Sequence, residues 1–280
     1  GVLGVSASAI LVRFSQAPSG VTAAYRLGWT VLLLLPVVLL RCRAELRRVT
    51  ARDLVLCGAS GVLLALHFLT WFESLKRTSV ASSTVLVSTE VIFTALGFAL
   101  FLHGKIPRLG VWAILLAFGG SALLALSGGG GAGELSGNLL ALAAASAAAV
   151  YTLIGRIQRG HLSTTVYTFL TYLACFLTLL LGTAAAGTPL TGYGGREWLI
   201  GLALAVLCTL LGHSLFSWCL KYLSPSYVSA AKLCEPVFSS LAAIPLFGEV
   251  PGPLQLAGGA AVLGAVLLYT WAEREKNPAG

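Results

Sequence analysis

Apolar runs of about 17–22 residues recur along this 280-residue chain, each long enough to cross roughly 30 Å of hydrocarbon as a helix. Charged residues make up 10% of the chain against 57% hydrophobic, and they cluster between the runs instead of recurring at helical or strand period. That pattern excludes an ordinary soluble domain, and the short alternating segments of a β-barrel are absent. Membrane spans are expected near residues 1–14, 18–40, 54–75, 79–102, 108–127, 138–155, 164–183, 198–220, 226–247 and 254–271. The longest linkers, 127–137 and 184–197, leave no room for a soluble domain. The opening run GVLGVSASAILVRF, in a chain without methionine, reads as a span already under way. It lacks the basic flank and clear cleavage site of a signal peptide.

Loop charges give the direction of these spans. The loops after the even spans, with the tail, hold twelve basic residues: Arg41, Arg43, Arg47, Arg48, Arg52, Lys105, Arg108, Arg156, Arg159, Lys221, Arg274 and Lys276. The opposite side holds four, Arg13, Lys76, Arg77 and Arg196, so both termini are expected in the cytoplasm. Topology therefore accounts for the net charge of +8, and no basic stripe with interleaved aromatics points to nucleic acid. The six cysteines form no CxxC pair and lie mostly inside apolar runs, as reduced packing residues would. No nucleotide-binding loop and no metal-ligand spacing of His and carboxylate is visible, so no cofactor and no metal are expected.

Placed over CLKYLSPSYVSAAKLCEPVFSSL (219–241), the stretch SLKRTSVASSTVLVSTEVIFTAL (74–96) aligns Lys76 with Lys221, Glu90 with Glu235 and Phe93 with Phe238. After a one-residue slip, LHGKIP (102–107) matches LFGEVP (246–251). Five spans per half means that the second half enters the membrane from the opposite side. The fold expected is an all-α integral membrane protein, ten transmembrane helices arranged as two inverted-topology five-helix repeats. The repeats are 1–127 and 138–272, separated by a Gly-rich linker, 128–137, and followed by a tail, 273–280. Glu90 lies about 16 Å into span 4 and Glu235 about 14 Å into span 9, near the midplane that such symmetry shares.

These residues resemble the drug/metabolite transporter superfamily, specifically its EamA-like ten-helix members. PSGVTAAYRLGWTVLLLLP (18–36) is similar to the family's second helix with its Tyr-Arg pair. HFLTWFESLKRTSVASSTVLVSTE (67–90) is similar to its helix 3–4 segment, and LCEPVFSSLAAIPLFGE (233–249) to its helix 9 Glu-Pro segment. The first half departs from the pattern with Val91 after Glu90 and with Lys105 opposite Glu249. The resemblance implies a cavity between the halves built from helices 1–4 and 6–9, with helices 5 and 10 peripheral and available for homodimer contacts. It also implies a prokaryotic inner-membrane exporter of small organic metabolites, often amino acids. The substrate does not follow from the fold.

Glu90 and Glu235 are the leading candidates for substrate binding or proton coupling, because a charged side chain at a helix centre costs several kcal/mol and rarely faces lipid. Lys232, three residues before Glu235, would either pair with it or contact substrate. Pro236 leaves the carbonyl of Lys232 without its ladder donor and is a candidate hinge. Arg26, about 12 Å into helix 2, would either neutralise a central glutamate or grip a substrate carboxylate. Tyr25 joins it through the family resemblance. His67 and Trp71 share a face of helix 3, and His213 and Ser217 a face of helix 8 beside Trp218. Each of these aromatic residues could line the site or simply pack.

The expected function is secondary transport of a small polar or zwitterionic metabolite by alternating access, with membrane lipid as surroundings. An organic-cation carrier with an aromatic cage around Trp71 is the alternative. An intramembrane enzyme lacks the GxSxG, HExxH or paired-aspartate motifs such chemistry uses. A non-transporting subunit would not call for an inverted repeat.

Overall fold

A computed structural model describes residues 2–101, 107–127, 132–222, 228 and 234–276. Lys232, most of the 102–107 turn, part of the 128–137 linker, the start of the ninth expected span and the last residues of the tail lie outside the described residues. Among the described residues there is no strand. Also among the described residues, seven helical stretches are long and apolar enough to cross a membrane, and three shorter apolar ones accompany them at Gly4–Phe14, Arg108–Leu124 and Glu235–Phe247.

The chain runs through α1 (Val2–Phe14), α2 (Ser19–Arg41), the short α3 (Arg43–Leu46), α4 (Ala51–Arg77), α5 (Val80–Val87), α6 (Glu90–Phe101) and α7 (Arg108–Ser127). It continues with α8 (Ala132–Gln158), α9 (Thr164–Ala185) and α10 (Gly195–Ala203), which runs through a π-helical segment (Leu204–His213) into α11 (Ser214–Cys219). Finally come α12 (Cys234–Phe247) and α13 (Pro253–Lys276).

The helices sort their side chains against lipid, not water. Along α4, Cys57, Ser60, Leu64, His67, Phe68, Trp71, Phe72 and Leu75 are buried on one stripe at helical spacing. Its outward face carries Leu54, Val55, Val62 and Leu66, all exposed. Hydroxyl groups go inward: Thr30, Ser60, Ser82, Thr171, Thr209 and Ser239 are fully buried. In α2 the division is lengthwise, with Ser19 to Thr30 largely buried and Leu32 to Leu40 mostly exposed.

Local chemistry fixes several ends. Thr50 and Asp53 form a reciprocal capping box at the start of α4, and Ser79 and Ser163 cap α5 and α9 through their side-chain oxygens. α8 is described from Ala132, inside the stretch expected as linker, and carries Glu134 in its first turn, where the helix dipole favours a carboxylate.

The fourth expected span is also not one helix. Ser88 and Thr89 separate α5 from α6, directly before Glu90. The cause is legible in VASSTVLVSTE, where hydroxyls compete with the helical ladder for carbonyls. Thr84 Oγ1 donates to Val80 O at 2.7 Å, Ser88 Oγ to Thr84 O at 2.9 Å and Thr89 Oγ1 to Leu86 O at 2.6 Å. Backbone bonds through the break tighten to three-residue spacing, Thr89 N to Leu86 O and Ile92 N to Thr89 O.

Core packing depends on missing side chains as much as on present ones. A Cβ at Gly61 would sit 2.5 Å from Ala174 Cβ and 2.6 Å from Thr171 O, so α4 meets α9 there almost backbone to backbone. Gly120 of α7 and Gly258 of α13 make the same close approach reciprocally, each Cβ position lying 2.9 Å from the other's carbonyl oxygen. At Gly58, one turn before Gly61, a Cβ would meet nothing within 4 Å. Thermal unfolding in detergent should therefore separate two substitutions on one helix. Gly61→Ala should cost about 1–3 kcal/mol as the helices are forced apart, while Gly58→Ala should be neutral or slightly stabilising.

Candidate functional site

The helices converge on a cavity of about 40 Å³. Its wall holds two carboxylates (Glu90, Glu235), two imidazoles (His67, His213), the rings of Trp71, Tyr151 and Phe216, and the hydroxyls of Ser8 and Ser88. Val5, Leu64, Val87 and Ala148 complete the lining. Space of this size admits a few water molecules, each needing about 10–15 Å³. It is far below the roughly 300–1,000 Å³ of an open ligand pocket.

Five of the sequence candidates meet here. Glu90 is the first residue of α6, buried, and accepts a hydrogen bond from Thr152 Oγ1 of α8 at 2.8 Å. Glu235 falls in the first turn of α12. Glu90 thus sits where a helix N-terminus offers positive potential, which offsets part of its desolvation. His67 Nδ1 lies 3.0 Å from Ala144 O. A carbonyl oxygen only accepts, so that nitrogen carries the hydrogen. The imidazole stacks on Trp71 with ring centroids 5.8 Å apart and faces His213 edge-on at 6.4 Å.

Arg26 stands one layer behind the wall. It is fully buried, with Nε donating to Thr209 Oγ1 at 2.7 Å and Nη1 to Ser8 Oγ at 3.1 Å, and its guanidinium carbon lies 4.2 Å from the Phe68 ring centroid. Its Nη2 has no hydrogen-bond partner among the described residues. Ser8 connects Arg26 to the cavity it lines. Thr209 comes from the π-helical segment, where the wider coil sends its hydroxyl to the carbonyl five residues back, Leu204 O. Such segments occur often at functional sites.

Two candidates lie elsewhere. Tyr25 stacks on Trp198 at 4.1 Å and donates to Leu190 O. Trp218 is half exposed and packs on Tyr222. Pro236 lies in the first described turn of α12, and the Lys232 carbonyl that it would leave without a ladder donor lies outside the described residues. Lys232 lies outside the described residues.

Sequence reasoning missed Ser8, Ser88, Tyr151, Thr152 and Phe216. Tyr151 and Thr152 follow the alanine-rich run AAASAAAV (143–150), and their interruption of it was the available signal. Among the described residues no three His, Cys, Asp or Glu side chains are grouped to hold a metal ion.

Residues 1–126 and 135–271 match the EamA-like transporter family. The pseudopaline exporter CntI of Pseudomonas aeruginosa is 24% identical over 207 residues, covering 74% of this chain and 72% of that protein. A probable terminal-alkyne amino-acid exporter of Streptantibioticus cattleyicolor is 28% identical over 233 residues, 79% of this chain and 75% of its own. The threonine/homoserine exporter RhtA of Escherichia coli is 26% identical over 167 residues, 60% and 56% of the two chains. One protein of known crystal structure aligns over 99% of this chain and 96% of its own, with a TM-score of 0.68 and 20% identity, which shows a shared fold.

The Thr152 hydroxyl is the donor that Glu90 would lose most simply. Thr152→Val should lower stability by about 1.5–3 kcal/mol, the worth of one hydrogen bond to a charged group, while Thr152→Ser should stay near the parent. Paired thermal unfolding curves would check this.

Proposed function

Since this chain belongs to the EamA-like transporter family, we propose that it exports small zwitterionic metabolites, amino acids or close derivatives, by alternating access across a bacterial inner membrane. It is a multi-pass membrane transporter and not an enzyme. The observation that carries the substrate reading is one cavity that joins Glu90, Glu235 and, through Ser8, Arg26. A substrate ammonium is placed against the carboxylates, and its carboxylate toward Ser8 and the unpartnered Arg26 nitrogen. The exporters named among its relatives act on amino acids or metabolites, which supports the same class and direction. Protonation of Glu90 or Glu235 would couple export to protons.

The architecture we propose is ten spans in two inverted repeats, 1–127 and 138–272, about a linker at 128–137, with the tail 273–280 and both termini cytoplasmic. Packing relations support it, because they survive exchange of each helix with its counterpart five spans later. The third span lies on the sixth (α4 on α8), and the first lies on the eighth (α1 on the π-helical segment). The pairs that map onto themselves are also packed: α2 on α9, α5 on α12 and α7 on α13. Contacts at the two ends respect the alternation of loops. Arg13 meets Glu249 and Ser15 meets Glu197 at one end, while Glu45 meets Ser163 and Asp53 meets His161 at the other. The peripheral pair α7 and α13 would supply dimer contacts, and lipid the remaining surroundings.

Trp71, Tyr151 and Phe216 on the wall favour a second reading, an organic cation held by aromatic faces and carboxylates. Counterflow of labelled amino acids and of choline in liposomes separates the two. Glu90→Gln and Glu235→Gln should each lower amino-acid counterflow about 10–100-fold, the loss of one buried charge-assisted contact; parental flux in both variants would reject the site. Arg26→Gln should weaken binding of an amino acid more than of the matching amine without its carboxylate, measured by competition. Equal losses would remove Arg26 from substrate contact.

A further inference from the structure

An unassigned polar cluster lies one to two helical turns beyond the cavity, at the end of the bundle where α1, α4 and α12 finish and α5 begins. Arg13 comes five residues after Ser8 on α1, and Leu75 four after Trp71 on α4. Arg13 Nη1 donates to Leu75 O at 2.6 Å and Nη2 to Glu249 Oε1 at 2.5 Å. The other carboxylate oxygen of Glu249 accepts from the Val80 amide at 2.7 Å. One ion pair therefore ties together four helices, and each of the four also contributes to the cavity wall.

Its setting gives it a closing role. Glu249 belongs to the second family-matching stretch and Arg13, Leu75 and Val80 to the first, so the pair bridges the two. Gly248 has φ +68°, the left-handed turn that ends α12 with its N–H on Ile244 O, and this turn directs Glu249 back over the bundle. Phe14 and Phe247 meet beside it at 5.1 Å. Arg13 and Glu249 keep 26% and 19% of their side-chain surface exposed, so water can reach the pair and replace it when the ends separate. At the opposite end, Glu45 meets Ser163 and Asp53 meets His161 on the turn before α9, a helix that does not line the cavity, and Asp53 also accepts from Gln158 at the end of α8.

We propose that Arg13 and Glu249 form the gate on this face: intact, they close the cavity to the size observed, and broken, they let α12 part from α1, α4 and α5 to open it. The inference rests on the alternating-access reading but is tested without substrate. In cysteine-free protein carrying Ser8→Cys, a membrane-impermeant maleimide is applied to each face of sealed vesicles in turn. Glu249→Gln and Arg13→Gln should raise labelling from the face bearing residues 248–252 at least about tenfold, with no rise from the other face. Parental rates in both variants would overturn the gate.

An equal rise from both faces would mark a lost fold. In that case Arg13→Cys/Glu249→Cys joined by a short bifunctional thiol reagent decides, because cross-linking should bring labelling of Ser8→Cys from this face to background. Undiminished labelling after complete cross-linking would overturn the proposal. A raised rate in protein that carries no substrate would support the gate and count against the transport reading instead.

Discussion

Removing a carboxylate from water is the hardest demand this chain makes on itself, and much of the structure is arranged around meeting it twice. Glu90 lies in the first turn of a helix that begins within the bundle and Glu235 in the first described turn of α12, both facing one small cavity. A helix start supplies partial positive charge where an uninterrupted span would supply none. For Glu90 that start exists because a serine- and threonine-rich stretch spends its hydroxyls on the carbonyls of α5, and Thr152 then adds a direct donor. The sequence that breaks the helix and the sequence that needs the break are adjacent.

Arg26 meets the same demand with opposite sign. It is buried without a direct carboxylate partner, held by two hydroxyls and an aromatic face, and one of those hydroxyls opens onto the cavity. In hydrocarbon such a charge depends on the hydroxyls and the aromatic face around it. The free donor and the two nearby carboxylates give the site both signs of charge, a match for a ligand that carries both.

The sequence disclosed the chain's relation to the membrane and the chemistry of its centre, because both depend on residue type along a helix. Runs of apolar length, the loop charges and an acidic residue inside an apolar run are one-dimensional signals. Five of its candidates, Glu90, Glu235, His67, Trp71 and His213, line the cavity. What it hid depends on neighbours distant in sequence. Tyr25 shares a helix turn with Arg26, yet it stacks on Trp198, because adjacent residues on a helix point about 100° apart. Ser8, Tyr151 and Thr152 look like ordinary small or amphipathic residues until α1 and α8 bring them to the wall. The break before Glu90 was readable in principle, since its hydroxyl run is local, but apolar length alone masked it.

The claim at the centre of this account is that the cavity recognises both charges of a zwitterion. Ligand-induced thermal stabilisation of the purified protein tests it most directly, using an amino acid panel beside the matching amines and the matching carboxylic acids. Binding to the native state raises apparent stability by mass action. The account predicts stabilisation by one or more amino acids, little by either half-ligand, and none in Glu90→Gln or Glu235→Gln protein. Stabilisation by carboxylic acids lacking an ammonium, unchanged by those substitutions, would contradict it.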